Sequence, residues 1–503
     1  MRKRFVKFHN VSFGYDSASA SLLQSVSLHI ARGWTGVVGA NGAGKTTLLK
    51  LAAGTLKPVR GDVETAANSL YCPQRTDDVP DRLGELILAK AKSACIIKGQ
   101  LGICGDWAKR WATLSDGERK RAQLAVAMWL EPEVLAIDEP TNHLDLQGRE
   151  IINKALQSFR GVGLLVSHDR ELLDSLCQQC LFIEHPGVVA RPGGITKGMQ
   201  AAKAERRFLE KRYMLKKRAY RTLQREAVRR REFAKQSLKR RSKRGLAKGD
   251  HDAREKKDRA RVAGKDGTGG KLHRQLKGRL TRARKGLENI AVRKEYALGI
   301  WLPGSVSKRN SLLSLRPGSL PLGEERRLYY PELLIRRSDR IALSGPNGSG
   351  KSTLIRHIVN SLNVPATRIT YIPQEIDLRQ SQDILAQVHA LADSKLGHLM
   401  TIVSRLGSRP HRLLDSTEPS PGETRKLLLA IGMTYAPHII IMDEPTNHMD
   451  LPSIECLEQA LSDCPCSLLL VSHDRRFLQK LTQIQWRTAQ IDDSGGAFAL
   501  DVL

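Results

Sequence analysis

The sequence predicts an α/β chain built from two tandem copies of one module, joined by a long basic helical hairpin. Three observations carry this. The hexapeptide Asp-Glu-Pro-Thr-Asn-His occurs at residues 138–143 and again, 305 residues later, at 443–448, and such a recurrence marks a repeated structural unit. A glycine-rich run ending in Lys-Thr-Thr or Lys-Ser-Thr precedes each copy, at residues 39–47 and 345–353. Between the copies lies a polycation: residues 197–294 hold 36 lysines and arginines against 10 acidic residues, +26 of the net +30.

A chain of 503 residues is long enough for two or three domains, because single cores stop growing well below that size. We place the first at 1–190, the basic linker at 191–309 and the second at 310–503. No apolar run approaches the roughly 20 residues that a membrane helix needs. The start, Met1-Arg-Lys-Arg, lacks the apolar core of a secretion signal, so a cytoplasmic location is expected. Eight cysteines in a chain of this size do not form a disulfide framework. Cys177-Gln-Gln-Cys180 reads as two thiols on a helix, and His251 as part of a solvated turn.

The first module opens with a strand-like run, Trp34-Thr-Gly-Val-Val38, then Gly39-Ala-Asn41-Gly42-Ala-Gly44-Lys45-Thr46-Thr47, then the helical pattern Leu48-Leu49-Lys50-Leu51. In the second, Arg340-Ile-Ala-Leu343 leads to Gly345-Pro-Asn347-Gly348-Ser-Gly350-Lys351-Ser352-Thr353. A phosphate-binding loop needs these types. Glycines let backbone N–H groups close around phosphate, lysine reaches the β- and γ-phosphates, and the hydroxyl of Thr46 or Ser352 binds Mg²⁺. Downstream, the apolar runs Val134-Leu-Ala-Ile and Ile439-Ile-Ile-Met end in Asp138-Glu139 and Asp443-Glu444. A buried strand that delivers an aspartate to the magnesium shell and a glutamate to a water suits transfer of a phosphoryl group to water.

Two further pairs keep register. Ser115-Asp-Gly117-Glu118 and Ser420-Pro-Gly422-Glu423 each begin 23 residues before the aspartate; alone, Ser-x-x-Glu is a helix capping box. His168 and His473 each follow the aspartate by 30 residues, inside Val-Ser-His-Asp-Arg, and are candidates for contact with a γ-phosphate.

Together these motifs resemble the ATP-binding cassette family, across nearly all of the chain outside the basic segment. Gln74 in Tyr-Cys-Pro-Gln and Gln374 in Tyr-Ile-Pro-Gln match that family's glutamine loop, and Tyr15 matches the aromatic that stacks on adenine. The resemblance implies two ATP molecules between the domains, each held by one phosphate loop and the other domain's signature. Lys45 would face Ser420 and Gly422, and Lys351 would face Ser115 and Gly117. Mg²⁺ would be held by Thr46, Gln74 and Asp138 in one site and by Ser352, Gln374 and Asp443 in the other. Two departures suggest unequal sites: Pro419 and Pro421 flank Ser420, and no aromatic stands before the second loop where Tyr15 stands before the first.

The turns Thr141-Asn142-His143-Leu144-Asp145 and Thr446-Asn447-His448-Met449-Asp450 resemble the ABC-F branch, whose members act on ribosomes, in translation or antibiotic resistance. The linker supports that branch. Steps of four and three from Leu209 give Tyr213, Lys216, Tyr220, Leu223, Ala227, Arg230 and Ala234, and a second seam runs Leu272, Leu276, Leu280, Ala283, Leu287, Ile290. These are two amphipathic helices with basic outer faces, joined by the polar stretch 245–270. A first helix of some 45 residues would reach roughly 65 to 70 Å. Its few aromatics favour phosphate backbone and RNA shape over base stacking. The resemblance makes this hairpin a ribosome-binding element that contacts ribosomal RNA and tRNA and approaches the peptidyl-transferase centre, in a chain that is monomeric off the ribosome. Spacings of 41 residues from Gln74 to Ser115 and 46 from Gln374 to Ser420 leave little room for the inserted arm of some members, which leans towards the ribosome-protection type. The alternatives are a DNA-associated cassette ATPase and, further off, the ATP-binding subunit of a transporter.

Overall fold

The computed structural model describes residues 5–15, 21–142, 144–241, 268–288, 303–323, 326–406, 421–447, 449–491 and 496–503, with isolated positions at 252, 255, 256 and 259. Two compact units emerge, one formed by residues 1–198 with 297–503 and the other by residues 199–296.

Within the first unit, each half is built on a mostly parallel sheet. In the N-terminal half the strand order is Ser69–Cys72, Val134–Asp138, Val162–Val166, Gly33–Gly39, Cys177–Glu184, Gly187–Pro192. All pairings are parallel except the last. The C-terminal half repeats the central order with Ile369–Ile372, Ile439–Asp443, Ser467–Val471, Arg340–Ser344 and Ile484–Gln490. Both carboxylate strands, Val134–Asp138 and Ile439–Asp443, are buried at every residue. That explains why they read as unbroken apolar runs: a strand covered by layers on both faces has no polar side to alternate with. The strand entering each phosphate loop lies one strand away from the carboxylate strand, so loop and carboxylates emerge together at the carboxyl edge, where open α/β sheets carry ligands.

The antiparallel strands differ between the halves. Leu23–Ala31, Phe5–Phe13 and Arg60–Glu64 form a separate three-stranded sheet in the first. In the second, Ala497–Val502, Arg327–Tyr330 and Gly318–Pro321 extend the main sheet to eight strands, and Ser311–Leu315 pairs with Leu333–Arg336. Cys177 and Cys180 lie on a strand and not on the helix that their spacing suggests. Helix Arg170–Leu176 ends just before them, and the following residues join the sheet beside Gly33–Gly39.

The second unit contains most of helix Ile195–Arg241, 47 residues or about 70 Å, and helix Thr268–Glu288. Tyr213, Lys216, Tyr220, Leu223, Ala227 and Arg230 are half-buried, as are Leu280, Ala283 and Leu287, and Leu276 is fully buried. Leu209 departs from its expected seam place and is exposed. The second helix starts at Thr268, inside the stretch expected to be a connection. Ile290, His251 and most of residues 245–267 fall outside the described residues. Among the described residues, no helix is long and apolar enough to cross a membrane.

One contact fixes the sheet beside the first phosphate loop. Gly163 pairs directly with Trp34 across parallel strands, the Trp34 ring is buried, and its indole N–H donates to the Leu156 carbonyl at 2.9 Å. A Cβ on Gly163 would lie 2.3 Å from the ring. Gly163→Ala should therefore destabilise the N-terminal half by about 1–3 kcal/mol through overpacking, read as a lower thermal unfolding midpoint; an unchanged midpoint would refute the packing argument.

Candidate functional site

Helices Lys45–Ala52 and Lys351–Ser361 start at the loop lysines themselves, each preceded by a glycine in the left-handed region, Gly44 at φ 100° and Gly350 at φ 89°. Neither start has a side-chain cap. The free N–H groups and the positive helix end thus face the loop opening, the arrangement that holds anions. Lys45 Nζ donates back to the carbonyls of Gly39 at 3.0 Å and Ala40 at 3.2 Å, and Lys351 Nζ to those of Gly345 at 2.9 Å and Pro346 at 2.8 Å. Burial lowers the pKa of both lysines, opposed by nearby carboxylates.

The next residue in each loop meets the carboxylate strand. Thr46 donates its hydroxyl to Asp138 Oδ2 at 2.6 Å, and Ser352 does the same to Asp443 Oδ2 at 2.6 Å. Hydroxyl and carboxylate form a hard-oxygen pair beside a phosphate loop, which suits Mg²⁺. Gln374 lines the same cavity as Ser352 and Asp443. Gln74 lines a cavity of about 380 Å³ with Lys120 and Glu139.

Glu139 and Glu444 stand just beyond the strand ends at φ 45° and 49°, a left-handed conformation that costs a non-glycine residue energy and concentrates at functional sites. Each is held there by its own N–H, which donates to Val166 or Val471 at 2.9 Å. One carboxylate oxygen accepts the N–H of His168 or His473 at 3.3 Å. The other, Oε1, is buried and has no hydrogen-bond partner. Burial pushes both carboxyls up to about 7, and it pushes His168 and His473 down to about 3. The imidazoles are therefore neutral near pH 7, and the approach of each Nε2 to that same Oε1, at 3.2 and 3.4 Å, lies outside hydrogen-bond geometry and is not an ion pair.

The two halves touch through these loops. Asn41 N–H donates to Asp450 Oδ2 at 2.8 Å, and Asn347 N–H to Asp145 Oδ2 at 3.4 Å. Asp145 and Asp450 also cap the helices that follow them. Burial alone would raise Asp450, but bonds from Ser453 and from Asn41 N–H hold it below the usual carboxylate range. His473 Nε2 lies 3.2 Å from Asn347 Oδ1. Arg170 adds two more bonds between the halves, donating to Glu458 at 2.6 Å and Asp474 at 2.9 Å.

Among the described residues, the contact expected of Ser115 and Gly117 with the Lys351 site is not in place. Ser115 caps its own helix, with Oγ donating to Glu118 at 2.8 Å, and neither Ser115 nor Gly117 lines the cavity around Lys351. Instead Leu144, packed on Gly117, reaches that cavity from the first half. Gly422 is half-buried near the start of helix Pro421–Met433, and Ser420 lies outside the described residues. The Tyr15 hydroxyl is 3.1 Å from Thr47 Oγ1, and its ring stands edge-on to Phe13.

Sequence reasoning missed Lys120 and Arg425. Buried Lys120 donates to the carbonyls of Pro73 at 2.6 Å, Asp138 at 3.3 Å and Gln74 at 3.4 Å. Arg425 donates to the carbonyls of Asn447, at 2.8 Å, and Gln374. Each cation ties the signature helix to the glutamine loop. Their signal was their spacing, since both lie five residues after the signature serine.

The family model described as "ABC transporter" matches residues 23–142 and 331–447. The chain is 30% identical to the ATP-binding protein Uup of Caulobacter vibrioides, over 92% of this chain and 73% of that one. It is 29% identical to the ribosome protection protein VmlR of Bacillus subtilis, covering 95% and 86% of the two, and 28% identical to the tylosin resistance ATP-binding protein TlrC of Streptomyces fradiae, covering 95% and 96%. Among solved structures, the archaeal ribosome recycling factor aABCE1, in complex with stalk protein aP1, is similar in fold, with a TM-score of 0.63 at 17% identity over 98% of this chain and 89% of that one. With phosphate loop, buried carboxylates and histidine assembled alike in both halves, the chain belongs to the F branch of the ATP-binding cassette ATPases.

Proposed function

We propose that the chain hydrolyses two ATP molecules, with Mg²⁺, between its halves, and that the closed ATP-bound form binds the ribosome through its basic hairpin, in ribosome protection or translational regulation. The observation that carries the partner is the concentration of +26 charges in residues 197–294, which leaves only +4 for the other 405 residues. A segment of one sign attracts a polyanion. Its exposed outer face and half-buried apolar seam present that charge on a long rod. The names of VmlR and TlrC point the same way.

In the chemical step, the loop N–H groups with Lys45 or Lys351 hold the β- and γ-phosphates. Thr46 and Asp138, or Ser352 and Asp443, would hold Mg²⁺, with Gln74 or Gln374 at the edge of its shell; the ion would neutralise charge on the phosphate oxygens. Unpaired Oε1 of Glu139 or Glu444 accepts a proton from water as its oxygen attacks the γ-phosphorus. The bond to the β-phosphate oxygen breaks and ADP leaves. Neutral His168 or His473 donates a hydrogen bond to the departing phosphate. Tyr15 packs on the adenine of the first site, and Ser115, Gly117, Ser420 and Gly422 complete the opposite sites on further closure.

Glu139→Gln with Glu444→Gln should lower ATP hydrolysis by at least about 100-fold, the lower range for loss of a general base, and should trap the ATP-bound form. That variant should co-sediment with ribosomes in ATP but not in ADP, even against excess duplex DNA at matched salt. Failure to co-sediment would sink the ribosome reading, and displacement by DNA would favour a DNA-associated ATPase.

The pH dependence has a definite sign. Both glutamates must be ionised to accept a proton, and burial raises both to about 7. Activity as kcat/KM should therefore fall as pH drops through about 7, not near 4.5 as for an exposed glutamate. A profile flat from pH 8 to 5.5 would remove the glutamates as bases.

A further inference from the structure

The second nucleotide cavity holds a cation besides the loop lysine. Around Lys351 lies a space of about 580 Å³, within the roughly 300–1,000 Å³ of small-ligand sites, walled on one side by Leu322, Gly323 and Arg326. Leu322 and Gly323 follow strand Gly318–Pro321, and Arg326 directly precedes strand Arg327–Tyr330. Leu322 N–H donates to the Arg326 carbonyl at 2.8 Å, and Gly323 adopts φ 113°, so the turn fixes where Arg326 starts.

The side chain then crosses the rim of the phosphate loop. An ideal Cβ on Gly348 would lie 3.7 Å from Arg326 Nη1, whereas one on Gly42, the matching position of the first loop, would meet nothing within 4 Å among the described residues. Leu322 packs on Gly350, the glycine that caps the loop helix. The first loop is instead bordered by Tyr15, through its hydroxyl contact with Thr47. Among the described residues, Arg326 makes no side-chain hydrogen bond or ion pair.

We propose that Arg326 is a nucleotide-binding residue of the second site, its guanidinium holding the polyphosphate of ATP where the first site relies on the Tyr15 ring. This rests on reading the loop at 345–353 as an ATP site. A guanidinium offers paired donors that match phosphate oxygens, and the loop N–H groups and Lys351 already converge on that polyphosphate. The two sites then bind ATP by different means. The second depends on charge and weakens more steeply with salt; the first depends more on apolar contact with the base.

The test uses the full chain with one loop disabled at a time and a fluorescent ATP analogue as probe. With Lys45→Ala removing the first site, Arg326→Ala should weaken binding about tenfold, the lower end for a charge-assisted bond. It should also flatten the dependence of affinity on salt, and Arg326→Lys should recover part of both. With Lys351→Ala removing the second site, Arg326→Ala should change nothing, which also controls for folding. Unchanged affinity and salt dependence for Arg326→Ala in the Lys45→Ala background would overturn the proposal. If the Lys45→Ala, Lys351→Ala double variant still binds the analogue as wild type does, the reading of both loops as ATP sites fails instead.

Discussion

The hydrogen bond from loop hydroxyl to strand carboxylate, Thr46 to Asp138 and Ser352 to Asp443, is the contact on which each catalytic half depends. It joins the first turn of the loop helix to the end of the central buried strand. Both aspartates are almost completely buried, and a buried carboxylate is tolerated only when it is hydrogen-bonded or paired. For Asp443, burial raises the pKa, while Ser352 and the cations Lys351, Arg425 and Arg356 oppose that. The same burial that makes the aspartate costly excludes water from the adjoining glutamate and lifts its carboxyl into the range of a useful base. Packing and chemistry are two consequences of one strand ending inside the protein.

Contact between the halves is built from the same residues. Asp145 and Asp450 each cap a helix in their own half and accept a backbone N–H from the opposite phosphate loop. Each loop is therefore tied to the start of the helix that follows the other half's carboxylates. The Arg170 bridge adds direction. Its acceptor Glu458 is buried and also binds Lys480, while the equivalent position in the first half, 305 residues earlier, is Asn153. Arg475, the counterpart of Arg170, is left with a longer, exposed pair to Glu150 at 3.4 Å. A buried pair loses strongly when one partner is withdrawn, and an exposed pair contributes little. The Arg475 side also carries an Arg476–Asp174 pair at 2.8 Å, so the two sides are bridged by different partners.

Much of this was legible in the sequence because the chain states it twice. Registers of 23 and 30 residues around each aspartate tie serine, carboxylates and histidine to one frame, and glycine-rich loops between a strand and a helix leave few alternatives. What escaped was set by three-dimensional neighbours. Lys120 looks like an ordinary charge on a helix that also carries Arg119 and Arg121, and Arg425 like one beside Lys426; only folding shows which basic residues turn inward. Cys177 and Cys180 have the spacing of a helix face, but a strand partner in Gly33–Gly39 overrides it. Leu209 continues an apolar register yet is exposed, since a heptad pattern names a seam without saying where the facing helix covers it. The left-handed backbone of Glu139 and Glu444 has no signal of its own, because the strain is held by contacts to Val166 and Val471 from a neighbouring strand.

Duplication fixed the common machinery, and divergence then worked on what surrounds it. Hydroxyl, carboxylates and histidine match in type and distance across the halves, to within about 0.2 Å for the bonds compared here. The surroundings do not match: Tyr15 against Arg326 at the loop rims, Lys120 against Arg425 behind the carboxylates, Glu458 against Asn153 at the bridge. None of these alters the reacting groups. Each borders them instead, at a loop rim, behind the carboxylates or between the halves. Divergence around an unchanged set of reacting groups therefore confines any difference between the halves to the residues that border those groups.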